Sequence, residues 1–326
     1  MMLETHDAWT LAHDAALGAG ASAAMAASLA QATVAAEQAG KSGVGFAHLL
    51  DYLDGLQQGR IQGAALAAIS HPTPASIRIN AQGGIAQLGF DQAFDALVEK
   101  CSNFGMAVLL LHHSFTVGEL GYYTRRLAEA GLVALACTNA HAQVTTASSG
   151  QRLFGTNPLS FAAPRADGPP LVIDQSSSAT AFVNLRRAAE EGHPIPEGWA
   201  LGPDGQTTTD ASLAIQGLLL PFGGQRGANI ALMVETLAAG LGGGQWSTDA
   251  ASFAQGSKSP DIGLFVVAFA PTLLAPDFSA RLTQQLSHLA ARGLHIPGSR
   301  PALSKLDIAE TTLQAVRAYA QHRPGP

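Results

Sequence analysis

The stretch QRLFGTNPLS, residues 151–160, organises this chain together with LVIDQSSS at residues 171–178. In both, a turn with glycine or proline adjoins a short apolar run, and polar residues stand at the end of that run. Gly155 permits backbone angles that other residues resist, and Pro158 excludes continuation of a helix. Asp174 closes the second apolar run and is followed by three small serines. This pattern is typical of a ligand site at a sheet edge rather than of a core.

The composition of the chain excludes several classes of protein. It has 326 residues, of which 47% are hydrophobic and 13% are charged, so a sizeable core is expected. The net charge is −6 and no basic stripe occurs, which disfavours nucleic-acid binding. Because no uninterrupted apolar run reaches about 18 residues, we expect no membrane span.

The cysteines and the N-terminal residues indicate a cytoplasmic protein. Cys101 and Cys137 lack the spacing of a zinc site and lie in apolar surroundings, so we interpret them as buried free thiols. Free thiols suit a reducing compartment. Residues 1–10 lack the cationic start and apolar block of a signal peptide.

Hydrophobic periodicity and turn residues predict a chain of alternating helices and strands. Helices are predicted at residues 7–18, 22–39, 47–58, 91–100, 118–130 and 301–322, and another opens at residues 221–227. Strands are predicted at residues 76–80, 107–111, 132–137, 160–163, 171–174 and 264–268. The Pro- and Gly-rich residues 186–210 are predicted to form a surface excursion. The strand–helix–strand order around residues 107–137 indicates an α/β protein.

No common nucleotide or hydrolase motif is present. The glycine clusters at residues 40–45, 223–227 and 240–244 lack the G-x-G-x-x-G spacing, so a nicotinamide cofactor would not bind by the Rossmann route. A Walker loop, a zinc-protease histidine pair and G-x-S-x-G are also missing. The cluster at residues 223–227 places backbone N–H groups and Arg226 at a helix start. It is either an anion site or a simple glycine-rich helix entry.

Few side chains stand out as catalysts by themselves. Asp174 is either a catalytic carboxylate or a strand-end residue bonded to the serine turn at residues 176–178. His112 and His113 are adjacent on a strand and point to opposite faces, with no nearby carboxylate to complete a set, so we expect no metal site. His48, taken alone, is more typical of a surface or capped histidine.

Six stretches taken together resemble the malate/L-lactate dehydrogenase family of the second, non-Rossmann type. They are residues 54–61, 131–139, 154–164, 172–178, 221–244 and 295–298. Phe-Gly-Thr-Asn-Pro and Gly-Gly-x-Arg-Gly are the most specific of these motifs. Residues 220–224 and 237–241 resemble the branch that reduces Δ1-piperideine-2-carboxylate and Δ1-pyrroline-2-carboxylate.

The resemblance implies an α/β fold with a largely antiparallel sheet, packed N- and C-terminal helices and a homodimer. We expect residues 1–75 with 280–326 to form a helical, substrate-side and dimerisation region, and residues 76–279 to form the NAD(P)-binding and catalytic region. The resemblance further implies hydride transfer between NAD(P)H and a small 2-oxo acid or cyclic 2-imino acid. NADPH is the expected cofactor, as in that branch, and NADH is the alternative.

The resemblance also implies the residues of the site. By position, the cofactor site is expected to be lined by Thr138, Asn139, Gly155, Thr156, Asn157, Asp174, Ser176, Ser178, Arg226 and Gly227. Arg226 stands where many relatives have lysine. The substrate contacts are expected among Ser42, Gly43, His48, Ser114 and Thr116, and the catalytic residues among Asp174, His48 and Ser42.

The substrate half departs from the family pattern. The loop that normally contains Ser-His-Gly falls on Gly43-Val44-Gly45, and His48 replaces an arginine that binds the substrate carboxylate. A second family histidine falls on Thr116, although Ser114 is kept. The usual proton donors of the family are therefore missing.

This loss favours imines over ketones as substrates. Reduction of a ketone creates an alkoxide, so a proton donor beside the oxygen is worth roughly 10²–10⁴-fold in rate. A cyclic imine can bind already protonated, and hydride addition then yields a neutral amine. We therefore predict a reductase of Δ1-pyrroline-2-carboxylate or its six-membered homologue. The alternatives are a 2-oxo-acid dehydrogenase with His48 or His113 as the acid, and a catalytically silent nucleotide-binding paralogue.

Overall fold

The computed structural model describes residues 1–299 and 301–321. The helices are α1 Thr5–Gly18, α2 Ala23–Gln38, α3 Phe46–Gln57, α4 Ala86–Phe104, α5 Gly121–Glu129, α6 Phe182–Glu191, α7 Ala211–Ala214, α8 Gln225–Glu235, α9 Pro271–Leu274, α10 Phe278–Ala291 and α11 Glu310–Gln321. The strands are β1 Met2–Glu4, β2 Ala68–Ser70, β3 Ser76–Asn80, β4 Met106–Ser114, β5 Val133–Thr138, β6 Leu159–Ala163, β7 Leu171–Gln175, β8 Ala200–Leu201, β9 Thr207–Thr208, β10 Leu218–Leu219, β11 Ile262–Phe269 and β12 Lys305–Asp307. A 3₁₀ turn occupies Ser42–Val44, and a π-helical turn, Thr236–Leu241, continues α8.

A seven-stranded sheet forms the centre of the fold, in the order β2-β3-β4-β11-β5-β6-β7. Only β3 and β4 pair in parallel among its described strands, and every other neighbouring pair is antiparallel. The apolar sequences of β4 and β11 suit central strands that are covered on both faces. The prediction of an α/β fold with a largely antiparallel sheet is confirmed.

Helices cover both faces of the central strands. On one face, α4 and α5 pack on the sheet, and Phe90 and Tyr123 are fully buried there. On the other face, α8 and its π-helical continuation pack on β5 and β11, where Val234 meets Phe265. The end of β5, the start of β6 and the end of β7 therefore lie side by side near the start of α5 and α8, and this arrangement positions the candidate site.

The N- and C-terminal helices form a third layer. Alanines of α1 and α2 are buried together with Leu313 and Val316 of α11, so the predicted packing of the two ends is confirmed. The small alanine side chains permit close approach of these helices. The prediction of one helix over residues 301–322 is wrong for residues 301–309, because Lys305–Asp307 pairs antiparallel with Met2–Glu4 and the helix begins only at Glu310. Residue 322 lies outside the described residues.

Two segments pack away from this layer. Residues of α10 and the following loop, such as Leu286 and Ile296, pack on Leu171 of β7. The Pro- and Gly-rich residues 186–210 were predicted to be a surface excursion, but they contribute to a small core of their own. Ile195 and Ala200 are buried there beside Leu185 of α6, because the short sheet β10-β8-β9 folds back on α6 and α7.

Candidate functional site

Main-chain hydrogen bonds bring the predicted cofactor segments together. The N–H of Ser177 donates to the carbonyl of Thr156 (2.8 Å), and the N–H of Phe222 donates to the carbonyl of Ser177 (3.0 Å). A side chain at Gly155 would collide with the carbonyl of Ala140, so the turn after β5 touches the turn before β6. The turns at residues 138–140, 155–157 and 176–178 therefore lie beside the glycine-rich entry to α8.

Buried hydrogen bonds of the Asn157 side chain stabilise these turns. Its side chain is fully buried, and its amide donates to the carbonyl of Ala231 (3.0 Å) and to the carboxylate of Glu235 (2.8 Å). Glu235 also accepts from the N–H and the hydroxyl of Ser247, both at 2.6 Å. The left-handed backbone of Asn157, with φ of 37°, is one that asparagine adopts more readily than most residues. Its side chain thus shapes the loop and is not free to contact a ligand.

Thr138 and Asn139 have a similar internal role. Thr138 donates its hydroxyl to the carbonyl of Gly263 (2.6 Å). The Asn139 amide donates to Gln245 (2.7 Å) and its oxygen accepts from the N–H of Gly263 (3.2 Å). Both side chains are buried, so they fix the end of β5 next to the site. Ser178 is also buried and donates to the carbonyl of Thr180 (2.7 Å).

The start of α8 has the features of an anion-binding helix entry. Gly223 and Gly224 both have positive φ, 57° and 64°, and the space where a side chain would project is open. Arg226 is exposed and makes no ion pair with the described residues. A helix N-terminus with a free arginine attracts anions. Thr156 and Ser176 are partly exposed next to this surface, whereas Gly227 is buried.

Asp174 stands at the start of α5. Its carboxylate accepts from the N–H of Gly121 (3.1 Å), which is the first residue of that helix. Burial raises the pKa of Asp174, whereas the positive charge of Lys41 and the Gly121 N–H lower it. The helix terminus and Lys41 therefore offset part of the effect of burial. Asp174 has a structural contact at α5 and also lines a cavity.

The 3₁₀ turn that carries Ser42 and Gly43 lies close to Asp174. Lys41 donates from Nζ to the main-chain carbonyl of Asp174 (3.4 Å) and shares with its side chain a cavity of about 820 Å³. Ser42, Gly43 and Val44 are all exposed on this turn. The structure thus brings Lys41, at the start of the predicted substrate turn, to Asp174. The predicted substrate residues themselves are not among the residues that line this cavity.

His48 and Thr116 contact each other directly. Nε2 of His48 is 2.8 Å from Oγ1 of Thr116, and Nδ1 is 2.7 Å from Oδ2 of Asp51. The His48 ring packs edge-on against Tyr52 and Phe253. Two of the predicted substrate residues therefore form one hydrogen-bonded group whose imidazole is oriented by a carboxylate.

The other polar residues of β4 lie apart from this group. Ser114 is fully buried and its hydroxyl is directed at the carbonyl of Ile262 (3.5 Å), so the structure does not bring it to the surface of the cleft. His112 is buried and His113 is exposed, as expected for alternate strand positions. Burial lowers the pKa of His112, and the neighbouring His113 and Arg78 lower it further.

A sequence model of the malate/L-lactate dehydrogenase family matches residues 4–304. The chain belongs to the malate/L-lactate dehydrogenase family. The resemblance found in the sequence is therefore confirmed, and the chain is a member of an oxidoreductase family whose enzymes depend on NAD or NADP.

Two relatives and one solved structure place the chain within the malate/L-lactate dehydrogenase family. It is 36% identical over 286 residues to a Δ1-pyrroline-2-carboxylate/Δ1-piperideine-2-carboxylate reductase of Pseudomonas putida, over 86% of this chain and 84% of that protein. It is 33% identical to a (2R)-3-sulfolactate dehydrogenase (NADP(+)) of Chromohalobacter salexigens, over 99% of both chains. The crystal structure of Δ1-piperideine-2-carboxylate reductase from Pseudomonas syringae pathovar tomato matches with a TM-score of 0.92 and 31% identity, over 98% of this chain and 99% of that chain.

Several residues that surround the candidate site were not predicted from the sequence. Glu119 and Arg125 lie beside Asp174, and Glu235 with Ser247 supports Asn157. Glu119 lies inside the helix predicted at residues 118–130, where a single carboxylate does not by itself indicate a site. No helix in the described part of the chain is long and apolar enough to cross a membrane.

Proposed function

We propose that this protein is an NAD(P)H-dependent reductase of cyclic 2-imino acids. It reduces Δ1-pyrroline-2-carboxylate to L-proline, Δ1-piperideine-2-carboxylate to L-pipecolate, or both. The observation that carries the proposal is the substrate half of the site, where a carboxylate, Asp174, faces the cleft and the family histidine positions hold Val44 and Thr116. The reductase names of relatives in Pseudomonas and Burkholderia, at 31–36% identity, support the same substrate class.

The charges of the cleft suit such a substrate. At neutral pH a cyclic iminium acid carries a positive nitrogen and a negative carboxylate. Asp174 offers the negative charge for the nitrogen, and Lys41, held at its main-chain carbonyl, offers the positive charge for the carboxylate. Ser42 and Gly43 supply hydrogen-bonding groups on the turn next to Lys41. Asp174 at the ring nitrogen and Lys41 at the carboxylate together orient the substrate.

The turns around α8 would hold the cofactor, which when bound would supply the hydride for the imine carbon. Arg226 and the α8 N-terminus would hold the phosphates, with Thr156 and Ser176 partly exposed on the surface beside them. Buried or tightly packed residues stabilise these turns, namely Thr138, Asn139, Gly155, Asn157, Ser178 and Gly227. We propose NADPH as the preferred nucleotide, with NADH as the alternative, since a relative that covers nearly the whole chain is named for NADP(+).

The proposal includes a cytoplasmic homodimer. Burial raises the pKa of the free Cys101 thiol to about 11 and that of Cys137 to about 12, which suits unreactive thiols in a reducing compartment. Residues 1–75 with 280–326 form the substrate-side and dimerisation region, and residues 76–279 form the cofactor and catalytic region. Light scattering coupled to size-exclusion chromatography tests the dimer, and a monomeric mass would contradict it.

One observation favours a second function, a 2-hydroxy-acid dehydrogenase. The Asp51–His48–Thr116 group presents an imidazole that a carboxylate orients through Nδ1. Such an arrangement is suited to proton transfer at a carbonyl oxygen. The sulfolactate dehydrogenase among the relatives belongs to this class. His48 would then take the role that the missing family histidines leave open.

A substrate panel separates these functions. Oxidation of NADPH and of NADH is followed at several pH values with Δ1-pyrroline-2-carboxylate, Δ1-piperideine-2-carboxylate, pyruvate and oxaloacetate. We expect imines to be reduced with a kcat/KM at least tenfold above that of the ketones. Equal or faster reduction of ketones would refute the proposal in favour of the dehydrogenase.

Nucleotide binding supplies the remaining control. Fluorescence titration with NADPH measures binding without turnover. Binding with no turnover of any of the four substrates would indicate a catalytically silent paralogue. The His48→Asn variant then tests the second function, because it should abolish ketone turnover only if His48 is the acid.

A further inference from the structure

The ring of Phe253 touches both halves of the proposed site. Its centroid is 5.1 Å from that of the His48 ring and 5.6 Å from that of the His141 ring, and both contacts are edge-to-face. His48 belongs to the substrate half, and His141 directly follows the cofactor turn at residues 138–140. Hydride transfer requires the substrate to lie against the cofactor. A side chain that joins the two halves therefore borders the place where the two bound molecules meet.

The contact with His48 also connects Phe253 to Asp174. Nε2 of His48 is 2.8 Å from the hydroxyl of Thr116, which lies in the short connection between β4 and α5. At the end of that connection, the N–H of Gly121 donates to the carboxylate of Asp174 (3.1 Å). Phe253 is therefore linked, through these contacts and one short segment, to the carboxylate that is proposed to face the substrate nitrogen.

The main chain at Phe253 is anchored to α3, the helix that carries His48. Nη1 of Arg60 donates to the carbonyl of Phe253, and Nη2 donates to the carboxylate of Asp54 on α3. The Arg60 side chain is 1% exposed, so this anchor is screened from water. Residues 251–261 form no helix or strand. The anchor therefore fixes one aromatic residue within a loop that has no secondary structure of its own.

Phe253 offers the apolar surface that a cyclic imino acid requires. The ring of such a substrate carries methylene groups, whereas the side chains proposed to hold its two ends are charged. Tyr52 also contacts the His48 ring, but it is 2% exposed and its hydroxyl donates to the main chain (2.9 Å), so it has no surface left for a ligand. Phe253 is only partly buried. Of these two aromatic residues, Phe253 is therefore the one that can contact a substrate.

We infer that Phe253 is a specificity-determining residue, whose ring packs against the methylene groups of the substrate and favours the five-membered Δ1-pyrroline-2-carboxylate. The inference rests on the proposed imine reduction. The nitrogen and the carboxylate are common to both imines, so the charged groups do not distinguish them. The six-membered homologue carries one more methylene group, and a closely packed pocket discriminates by roughly 10–200-fold for one methylene. The fixed ring of Phe253 therefore selects by size.

The ratio of kcat/KM for Δ1-piperideine-2-carboxylate to kcat/KM for Δ1-pyrroline-2-carboxylate tests the inference. Phe253→Ala should raise this ratio at least about tenfold, because space for the additional methylene group opens. Phe253→Leu keeps more of the apolar bulk, so it protects the test against a failure to fold and should raise the ratio by less. Phe253→Trp should lower it. A loss of stability alone would reduce both rates in proportion and leave the ratio unchanged.

Phe104→Ala is the matched control. Phe104 is 53% exposed at the end of α4, away from the site, so its removal should leave the ratio at the wild-type value. A ratio in Phe253→Ala equal to that of the wild type would overturn the inference even if both imines are reduced.

Calorimetric titration measures the same selection without turnover. The probes are pyrrole-2-carboxylate and pyridine-2-carboxylate, planar acids of the two ring sizes. Phe253→Ala should improve the affinity for the six-membered acid relative to the five-membered acid about tenfold. An unchanged ratio of the two Kd values, or no binding of either acid, overturns the inference. If the wild type reduces neither imine, the proposed function fails, and the ratio of the Kd values decides the role of Phe253.

Discussion

Replacement of Asn157 by alanine is expected to destabilise the protein by about 4 kcal/mol. The lost bond to the Ala231 carbonyl is worth about 1 kcal/mol, and the bond to the buried Glu235 carboxylate about 2 kcal/mol. Alanine also adopts the left-handed backbone of this position at a cost of about 1 kcal/mol. The sum is large because both bonds are buried and water does not replace them.

Glycine at the same position separates the two contributions. Asn157→Gly loses the same bonds but not the backbone penalty, so its loss should be about 3 kcal/mol. Asn184→Ala is the matched control. It removes the single hydrogen bond that Asn184 of α6 donates to Thr180 (3.0 Å), and it should cost about 1 kcal/mol. Urea unfolding followed by tryptophan fluorescence measures all three. A loss below about 1 kcal/mol for Asn157→Ala would refute the claim that its amide holds the loop.

Three further outcomes follow from the site and its surroundings. Asp174→Ala should lower kcat for the imine at least about 100-fold, and near-normal turnover by a folded variant would make Asp174 a helix-capping residue only. Arg226→Ala should weaken NADPH binding about tenfold, less at high salt; an unchanged Kd would remove it from the phosphate site. Burial raises the pKa of Glu37, whose carboxylate accepts from Phe46 (2.8 Å). Its stabilising contribution is complete at acidic pH and is lost as pH rises through the raised pKa. Glu37→Gln should therefore raise Tm by about 2 °C at pH 7 but not at pH 4, and calorimetry showing a fall at pH 7 would contradict this.

The fold was predictable where local patterns decide it. The alanine-rich residues of α2 and the apolar runs of β4, β5 and β11 each show a local hydrophobic pattern. The structure has the predicted helix and strands at these positions. The end of the chain was not predictable in this way. Residues 305–307 carry a helical pattern with their neighbours, yet they pair with residues 2–4 at the other end of the chain. A single sequence gives no signal for such a pairing.

The candidate site was predictable as a set of segments but not as a set of contacts. Glycine, proline and serine turns marked the loops that meet beside α8, because their backbone requirements are local. The sequence motif does not indicate that Asn139 and Asn157 donate their side-chain amides to the interior of the protein. Their partners, such as Glu235, lie more than 70 residues away. Glu119 and Asp174 are likewise far apart in the sequence, so no local pattern indicates their approach at Gly121.

The two halves of the proposed site are built in different ways. In the proposed cofactor half, main-chain hydrogen bonds and buried amide side chains stabilise the turns at residues 138–140, 155–157 and 176–178. The exposed side chains of these turns contribute little to that stability. The substrate half instead depends on side chains that touch one another. His48 contacts Thr116, so a histidine placed at residue 116 would meet an imidazole and not the arginine that the family resemblance implies at residue 48. Because these two positions touch, restoring a histidine at residue 116 alone would place two imidazoles side by side and would not recreate the pair that the resemblance implies.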